Sequence, residues 1–443
     1  MNHLDRLADL IARARAAGAD AADAVLVAGT SLSVSRRLGQ TEHVERSEGQ
    51  DLGLRVFIGK QAAIVSATSI DPAGFAALAE RAVAMAKVVP EDPYTGLADT
   101  AAPPEADAFL DMEDAAEPSA VDLIARAAFA VDAALAVPGV TNSEGADAGY
   151  SRGELYLVTS AGFAGRRTGT GHSVGASVIV GEGTGMQRDY DYDSKVYLTD
   201  LDDPAAIGRS AAEPALKRLN PTRPKTAKLP VVYDPRVASS MLGHLMGAIN
   251  GASIARGTSF LKEKLGQKIF ASGIFIHDDP RRVRGPRSRV FDGEGTPTKA
   301  RALIEDGVLT TWLLDSRSAR QLGMASTGHA ARGTSGPPSP SASNLWLAAG
   351  TQTPDELMAD IKLGLYVTEM MGGGVNGVTG DYSRGAAGFL IRDGKLAEPV
   401  AEITIAGHAL EMFANLTPAN DLEFRRGTDS PTVRVEGLTM AGA

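Results

Sequence analysis

The stretch Gly388-Phe-Leu-Ile-Arg-Asp-Gly-Lys-Leu-Ala-Glu-Pro-Val400 decides how the second half of the chain is read. Two apolar runs, Gly388–Ile391 and Lys395–Val400, flank Asp393-Gly394, a dipeptide that tolerates the positive φ angles of a two-residue hairpin turn. The same signal recurs upstream, where Asp306-Gly307 separates Ala302–Ile304 from Val308–Leu314. Strands that return through short turns predict an antiparallel sheet, one that could close into a barrel.

Working outward, Leu229–Tyr233 reads as a strand, and Asp234 with Pro235 marks the start of a helix ending near Gly251. A further helix is predicted over Pro354–Leu365. The segment Asn220–Pro230, with its prolines and basic residues, is the best boundary, which divides the chain into a first unit over 1–225 and a second over 226–443. The first unit reads as mixed α/β. A helix ends near Gly18, strands are expected at Ala24–Ala28 and Ser31–Arg37, and Leu52–Ala67 forms a hairpin around Gly59-Lys60. Asp71 and Pro72 open a helix that runs to about Val88. Pro90–Ser119 is expected to be a long solvated connection. Then follow a helix over Val121–Leu135, strands at Glu154–Ser160, Ser173–Val180 and Lys195–Leu198, and a helix over Pro204–Leu219. The fold class is α+β, with a mixed N-terminal region and a largely antiparallel C-terminal β domain carrying a few helices.

Composition narrows the chemistry. The 443 residues hold no cysteine, which removes disulfides, iron–sulfur clusters, thiolate zinc sites and cysteine nucleophiles. A net charge of -10 counts against general nucleic-acid binding, which needs clustered cations. Charged residues interrupt Met1–Asp20 and Val121–Val140, so neither reads as a signal or a membrane span. A cytoplasmic protein without membrane contact is the expectation.

The seven histidines lack the paired spacing of a zinc helix. His244 falls at the rim of the apolar ladder Val237, Met241, Leu245 and Ile249, where a hydrogen bond or solvent would satisfy it. His277-Asp278-Asp279 alternates faces along a strand and is expected as a turn with solvated carboxylates. Arg281, Arg282, Arg284, Arg287 and Arg289 are expected to pair with those aspartates and the acidic surface. The most unusual stretch runs from Gly372 to Phe389. Its glycines permit close backbone approach, while Asn376, Asp381, Tyr382, Ser383 and Arg384 supply polar groups. It is neither a phosphate cradle nor a nucleophile elbow. A ligand-lining loop and a structural crossing of strands both stay open.

Several motifs together resemble one family. Asp51-Leu-Gly-Leu-Arg-Val-Phe57, Arg256-Gly-Thr-Ser259 after a helix, the Ala302–Leu314 hairpin, the glycine segment running into Glu402-Ile-Thr-Ile-Ala-Gly407, and Val435-Glu-Gly-Leu-Thr-Met440 are similar to the TldD/TldE (PmbA) family. Its members were once called modulators of DNA gyrase and are understood as subunits of a cytoplasmic zinc metallopeptidase. TldD-like members carry His-Glu-x-x-x-His on the helix before the Arg-Gly-Thr-Ser element and take a further ligand from a cysteine. Here Leu242, Gly243 and Gly247 stand at the three motif positions, and cysteine is absent. The resemblance therefore implies a noncatalytic, TldE-like subunit without its own metal. Zinc is expected in a TldD-like partner, and unfolded or extended peptides are the substrates. Gly374, Val375, Asn376, Asp381, Tyr382, Ser383 and Arg384 are the expected peptide-binding residues. Self-association of the chain in isolation stays open. Two rival readings are an independent metal-dependent peptidase using Asp278 and Asp381, and a non-enzymatic regulatory binding protein.

Overall fold

The computed structural model describes residues 2–100 and 107–443. The first half contains α1 (His3–Ala16), β1 (Ala21–Arg37), β2 (Gln40–Ile58), β3 (Gln61–Ala67) and α2 (Phe75–Ala86). It continues with α3 (Ala120–Leu135), β4 (Val140–Thr159), β5 (Ala164–Val180), β6 (Gln187–Lys195) and α4 (Pro204–Lys217). The strands form one antiparallel sheet in the order β3-β2-β1-β4-β5-β6.

Alternation along β1 explains the layering. Ala22, Ala24 and Leu26 face α1 and α2, and farther along the same face Leu32 and Val34 face α3 and α4. On the opposite face, Val25 meets Leu155, Leu157, Phe163 and Phe291. Each large side chain so buried contributes about 1.5–3 kcal/mol.

Several expectations for this half are corrected. Ala24–Ala28 and Ser31–Arg37 belong to one continuous strand, and β2 begins at Gln40. Residues 40–49 are all exposed and so show no apolar alternation; pairing with β1 through the Leu38-Gly39 turn makes them strand. The 90–119 connection is not wholly solvated, because Leu110 is buried between Val25, Leu157 and Val290. Residues 101–106 of that connection lie outside the described residues. The strand expected at Lys195–Leu198 lies upstream as β6. There the buried face carries Asp189, Asp191 and Asp193, while Tyr190 and Tyr192 are exposed. That inverted pattern is stable because Asp189 faces Arg218 and Arg236, and Asp191 faces Arg426.

The second half opens with β7 (Ala227–Tyr233), α5 (Pro235–Ala248), α6 (Gly251–Ala255), β8 (Ile276–Asp278), β9 (Arg301–Glu305) and β10 (Val308–Leu309). Next come α7 (Ser316–Gln321), β11 (Ala330–Ala331), β12 (Ser339–Pro340), β13 (Leu345–Leu347) and α8 (Pro354–Met358). The chain ends with β14 (Leu363–Met371), β15 (Asp381–Arg392), β16 (Lys395–His408), α9 (Ala409–Ala414), β17 (Leu416–Pro418), β18 (Thr428–Asp429) and β19 (Val433–Ala441).

Strands β16-β15-β14-β7-β19 close into a five-stranded barrel through β16–β19 pairing, with Thr404 opposite Ala441. All neighbours are antiparallel except β14 and β7. The α+β reading with a barrel-like C-terminal region therefore holds. Both hairpins turn where foreseen, with φ of 46° and 82° at Asp306-Gly307 and 45° and 78° at Asp393-Gly394. The helix expected over Pro354–Leu365 stops at Met358. Leu365 and Val367 alternate into the barrel core, so the following apolar run is strand β14.

The halves are joined by buried charge and close packing. Asp23 on β1 accepts from Arg55 at 3.0 Å and from Arg332 of the second half at 2.7 Å. Beside it, a Cβ on Gly53 would stand 2.2 Å from the Thr334 carbonyl oxygen, so only glycine fits there. Among the described residues no helix is long and apolar enough to cross a membrane.

Candidate functional site

Helix α5 begins where its sequence says it should, with the Asp234 side chain accepting from the Arg236 amide and Pro235 in the first turn. Met241, Leu242 and Leu245 are buried in the large cluster that also fills the barrel. Gly243 and Gly247 lie on the opposite, exposed face, and a Cβ at either would meet nothing within 4 Å. Leu242, Gly243 and Gly247, the three positions singled out in the sequence, thus present one buried hydrocarbon and two bare backbone units.

Between them stands His244, half-buried at the helix rim as its spacing predicts. Its ring meets Tyr382 edge-on at 5.9 Å, and its Cε1 would lie 3.0 Å from a Cβ on Gly374. Burial, and then the Arg384 charge, lower its pKa, so the imidazole is neutral. Its Nε2 is buried without a hydrogen-bond partner.

The glycine segment forms a compact extension of the β14–β15 hairpin. The Asn376 amide donates to the Asp381 carbonyl at 2.8 Å, and the Ser383 amide donates to the Gly374 carbonyl at 3.1 Å. The Asn376 side chain accepts from Val378 and Thr379, while the Thr379 hydroxyl donates to the Asp381 carboxylate at 2.6 Å. Docking comes from the Phe260 amide on the Gly377 carbonyl and from His408 Nε2, 2.9 Å from the Thr379 carbonyl.

This geometry sorts the seven residues singled out in the sequence. Asn376, Asp381 and Ser383 are exposed, and Gly374 and Val375 are half-buried. Tyr382 is 3% exposed and turns its hydroxyl to Met370 Sδ at 3.2 Å, so its ring backs His244. Arg384, two residues on, leans to the same side and reaches a cleft between the halves. That cleft has a volume of about 270 Å³ and is lined by β6, α5, β14 and β15.

Other sequence candidates end elsewhere. Asp278 is fully buried, not solvated: it accepts from the Ser343 amide and hydroxyl and lies 3.1 Å from His329 Nε2. Thr327 holds the other ring nitrogen at 2.8 Å. This Ser–Asp–His–Thr network went unnoticed in the sequence because its members are far apart along the chain. Ser343 is itself buried and bonds to Asp278, which makes the network a core brace. Asp278 belongs to the sheet β10-β9-β8-β13-β18 and Asp381 to the barrel. In the arginine run, Arg284 pairs with Asp111 at 2.6 Å and Asp200 at 2.9 Å, and Arg282 lies 3.7 Å above the Phe424 ring. Arg284 thus meets the acidic first half and not the aspartates just before it.

A zinc ion does not fit the residues that α5 offers at positions 242, 243 and 247, since none carries a nitrogen, oxygen or sulfur atom on its side chain. Among the described residues no group of three or more His, Asp or Glu is placed to hold a metal.

Comparison with known proteins places the chain. Models of the PmbA/TldA metallopeptidase domain 1, central domain and C-terminal domain match residues 22–86, 109–219 and 226–442. Metalloprotease PmbA of Escherichia coli O157:H7 is 37% identical over 430 residues, covering 96% of this chain and 92% of that protein. The Haemophilus influenzae PmbA homolog is 34% identical, with 96% and 93% covered. Among solved structures, a Bacteroides thetaiotaomicron protein assigned to the modulators of DNA gyrase is 26% identical with a TM-score of 0.89, covering 99% of this chain and 98% of its own. TldE from Thermococcus kodakarensis, 20% identical, shares the fold with a TM-score of 0.85 over 99% of this chain and 100% of its own. The chain belongs to the PmbA/TldD family of metallopeptidases.

Proposed function

We propose that this chain is the noncatalytic, TldE/PmbA-like half of a zinc metallopeptidase heterodimer that degrades or processes unfolded peptides in the cytoplasm. The observation that carries the reading is the lack of side-chain ligand atoms at Leu242, Gly243 and Gly247 of α5, the positions that the family resemblance sets against the metal motif of a TldD-like sister. Metal chemistry then belongs to a TldD-like partner. This chain contributes part of the wall of a central chamber that the two subunits would enclose around the peptide.

The glycine segment is suited to that task. Gly372 and Gly373 are exposed, so their backbone groups can pair with the main chain of an extended peptide and make little demand on its side chains. Asn376, Asp381 and Ser383 add exposed polar groups beside them.

The test is to purify the chain and a TldD-like protein from the same cell, separately and together, and to follow cleavage of an unfolded peptide. Stable association with activity confined to the pair is the expected result. Chelator-sensitive cleavage by this chain alone would overturn it in favour of an independent peptidase.

A further inference from the structure

The cleft between the halves holds more positive charge than its own carboxylates can use. Four arginines line it: Arg188 and Arg218 from the first half, Arg236 from α5 and Arg384 from β15. Its two carboxylates are Asp189 and Glu369. Asp189 is held by Arg236 at 2.9 Å and Arg218 at 3.3 Å, and Glu369 by Arg218 at 2.9 Å. Arg188 reaches out to Glu144 at 3.1 Å.

Arg384 is left over. Among the described residues it makes no ion pair, and its Nε is buried without a hydrogen-bond partner. On the facing strand, the Thr368 hydroxyl is also buried and unpaired. A half-buried guanidinium without a counter-charge costs stability, whereas a planar oxyanion recovers that cost through two parallel hydrogen bonds. A volume of about 270 Å³ admits the end of a chain rather than a bulky ligand.

We infer that Arg384 and the cleft around it receive the terminal α-carboxylate of an extended peptide or cleavage product. The inference rests on the peptide-handling reading above and adds polarity to it. Met370, which lines the cleft, lies four residues before Gly374 on the same hairpin, about 13 Å of extended chain. A peptide paired with the glycine segment can therefore end in the cleft. Free phosphate shares the oxyanion chemistry and is the competing source.

The experiment uses the full chain alone and a fluorescent, unstructured hexapeptide made with either a free C-terminus or a C-terminal amide. Fluorescence anisotropy is expected to show the acid bound about tenfold more tightly than the amide. Arg384→Gln should erase the difference by weakening the acid far more than the amide, while Arg384→Lys should retain part of it. Thermal melts should show Arg384→Lys close to the wild type and Arg384→Gln at least as stable, because the glutamine breaks no ion pair and removes an uncompensated charge. Equal binding of acid and amide, binding of neither, or a preference that survives Arg384→Gln would each overturn the assignment. So would displacement of the acid peptide by inorganic phosphate at equal concentration. Neither the sister protein nor turnover enters this measurement. Failure of the heterodimer would therefore leave an acid-over-amide preference standing, and absence of that preference would leave the heterodimer untouched.

Discussion

His244 on α5 and Tyr382 on β15 meet edge to face, their ring centroids 5.9 Å apart and their planes at 76°. The contact ties α5 to the strand leaving the glycine segment. Gly374 closes the arrangement from the third side.

Substitution at two glycines separates a wall from a tether. A Cβ at Gly374 would lie 3.0 Å from His244 Cε1, whereas one at Gly377 finds only the Thr258 carbonyl at 3.8 Å. Gly374→Val should displace the imidazole and lower peptide turnover by the assembled pair on the order of tenfold, since small misplacements near a reacting substrate are costly. Gly377→Val should leave turnover within about twofold of wild type. Steady-state kinetics of the two pairs, with assembly checked by size-exclusion chromatography, decide the matter. Equal losses would remove His244 from the argument.

Asp23 tests the seam between the halves. Burial alone would raise its pKa, but Arg332 and then Arg55 hold it below the ordinary value. Asp23→Asn leaves buried Arg332 without its counter-charge and Arg55 with only Glu294 at 3.6 Å, and should cost about 3–5 kcal/mol in urea unfolding. Because the folded pKa is depressed, the contribution of Asp23 is present above the ordinary pKa of 3.8 and lost as pH falls below it. The variant should lack that acid-side loss.

Asp292 works in the opposite direction and in a different window. Burial, and then the Glu294 carboxylate, push it up to about 6. A folded state that binds the proton more tightly is favoured at low pH. The stabilisation is therefore full below 3.8 and fades as pH rises to about 6. Unfolding free energies measured from pH 4 to 7 should decline by up to roughly 3 kcal/mol from this group. Asp292→Asn should be less stable throughout, because its amide would face the Ala330 N–H, yet it should not show the decline.

The core beneath α5 supplies a control unrelated to peptide handling. Leu245 is fully buried among barrel side chains. Leu245→Ala should destabilise the chain by about 2–5 kcal/mol through lost transfer energy and a residual cavity. Chemical denaturation measures the loss, and peptide affinity of the folded fraction should stay unchanged.

Much of the fold was legible because it is written locally. Asp234-Pro235 predicts the start of α5 since a carboxylate can accept the orphan amides of a first turn. Asp306-Gly307 and Asp393-Gly394 predict hairpins since both positions tolerate positive φ. The absence of side-chain donors at positions 242, 243 and 247 needs no coordinates at all. Where local patterning misleads, distant partners decide. The buried face of β6 is acidic, and only Arg218, Arg236 and Arg426 make that face stable. Polar β2 is strand because β1 pairs with it.

The amino-acid sequence by itself determined which elements start and turn where, and that positions 242, 243 and 247 of α5 carry no side-chain ligand atoms, because helix caps, primed turns and ligand atoms are properties of single residues and their neighbours. Tertiary structure alone decided that β16 meets β19 to close the barrel, that Asp278 is sunk beneath Ser343 and His329, that Tyr382 backs His244, and that Arg384 reaches a cleft whose carboxylates pair with other arginines. Those outcomes depend on which residues far apart in the chain share a dry space, and burial, unlike residue type, is set only when the whole chain is packed.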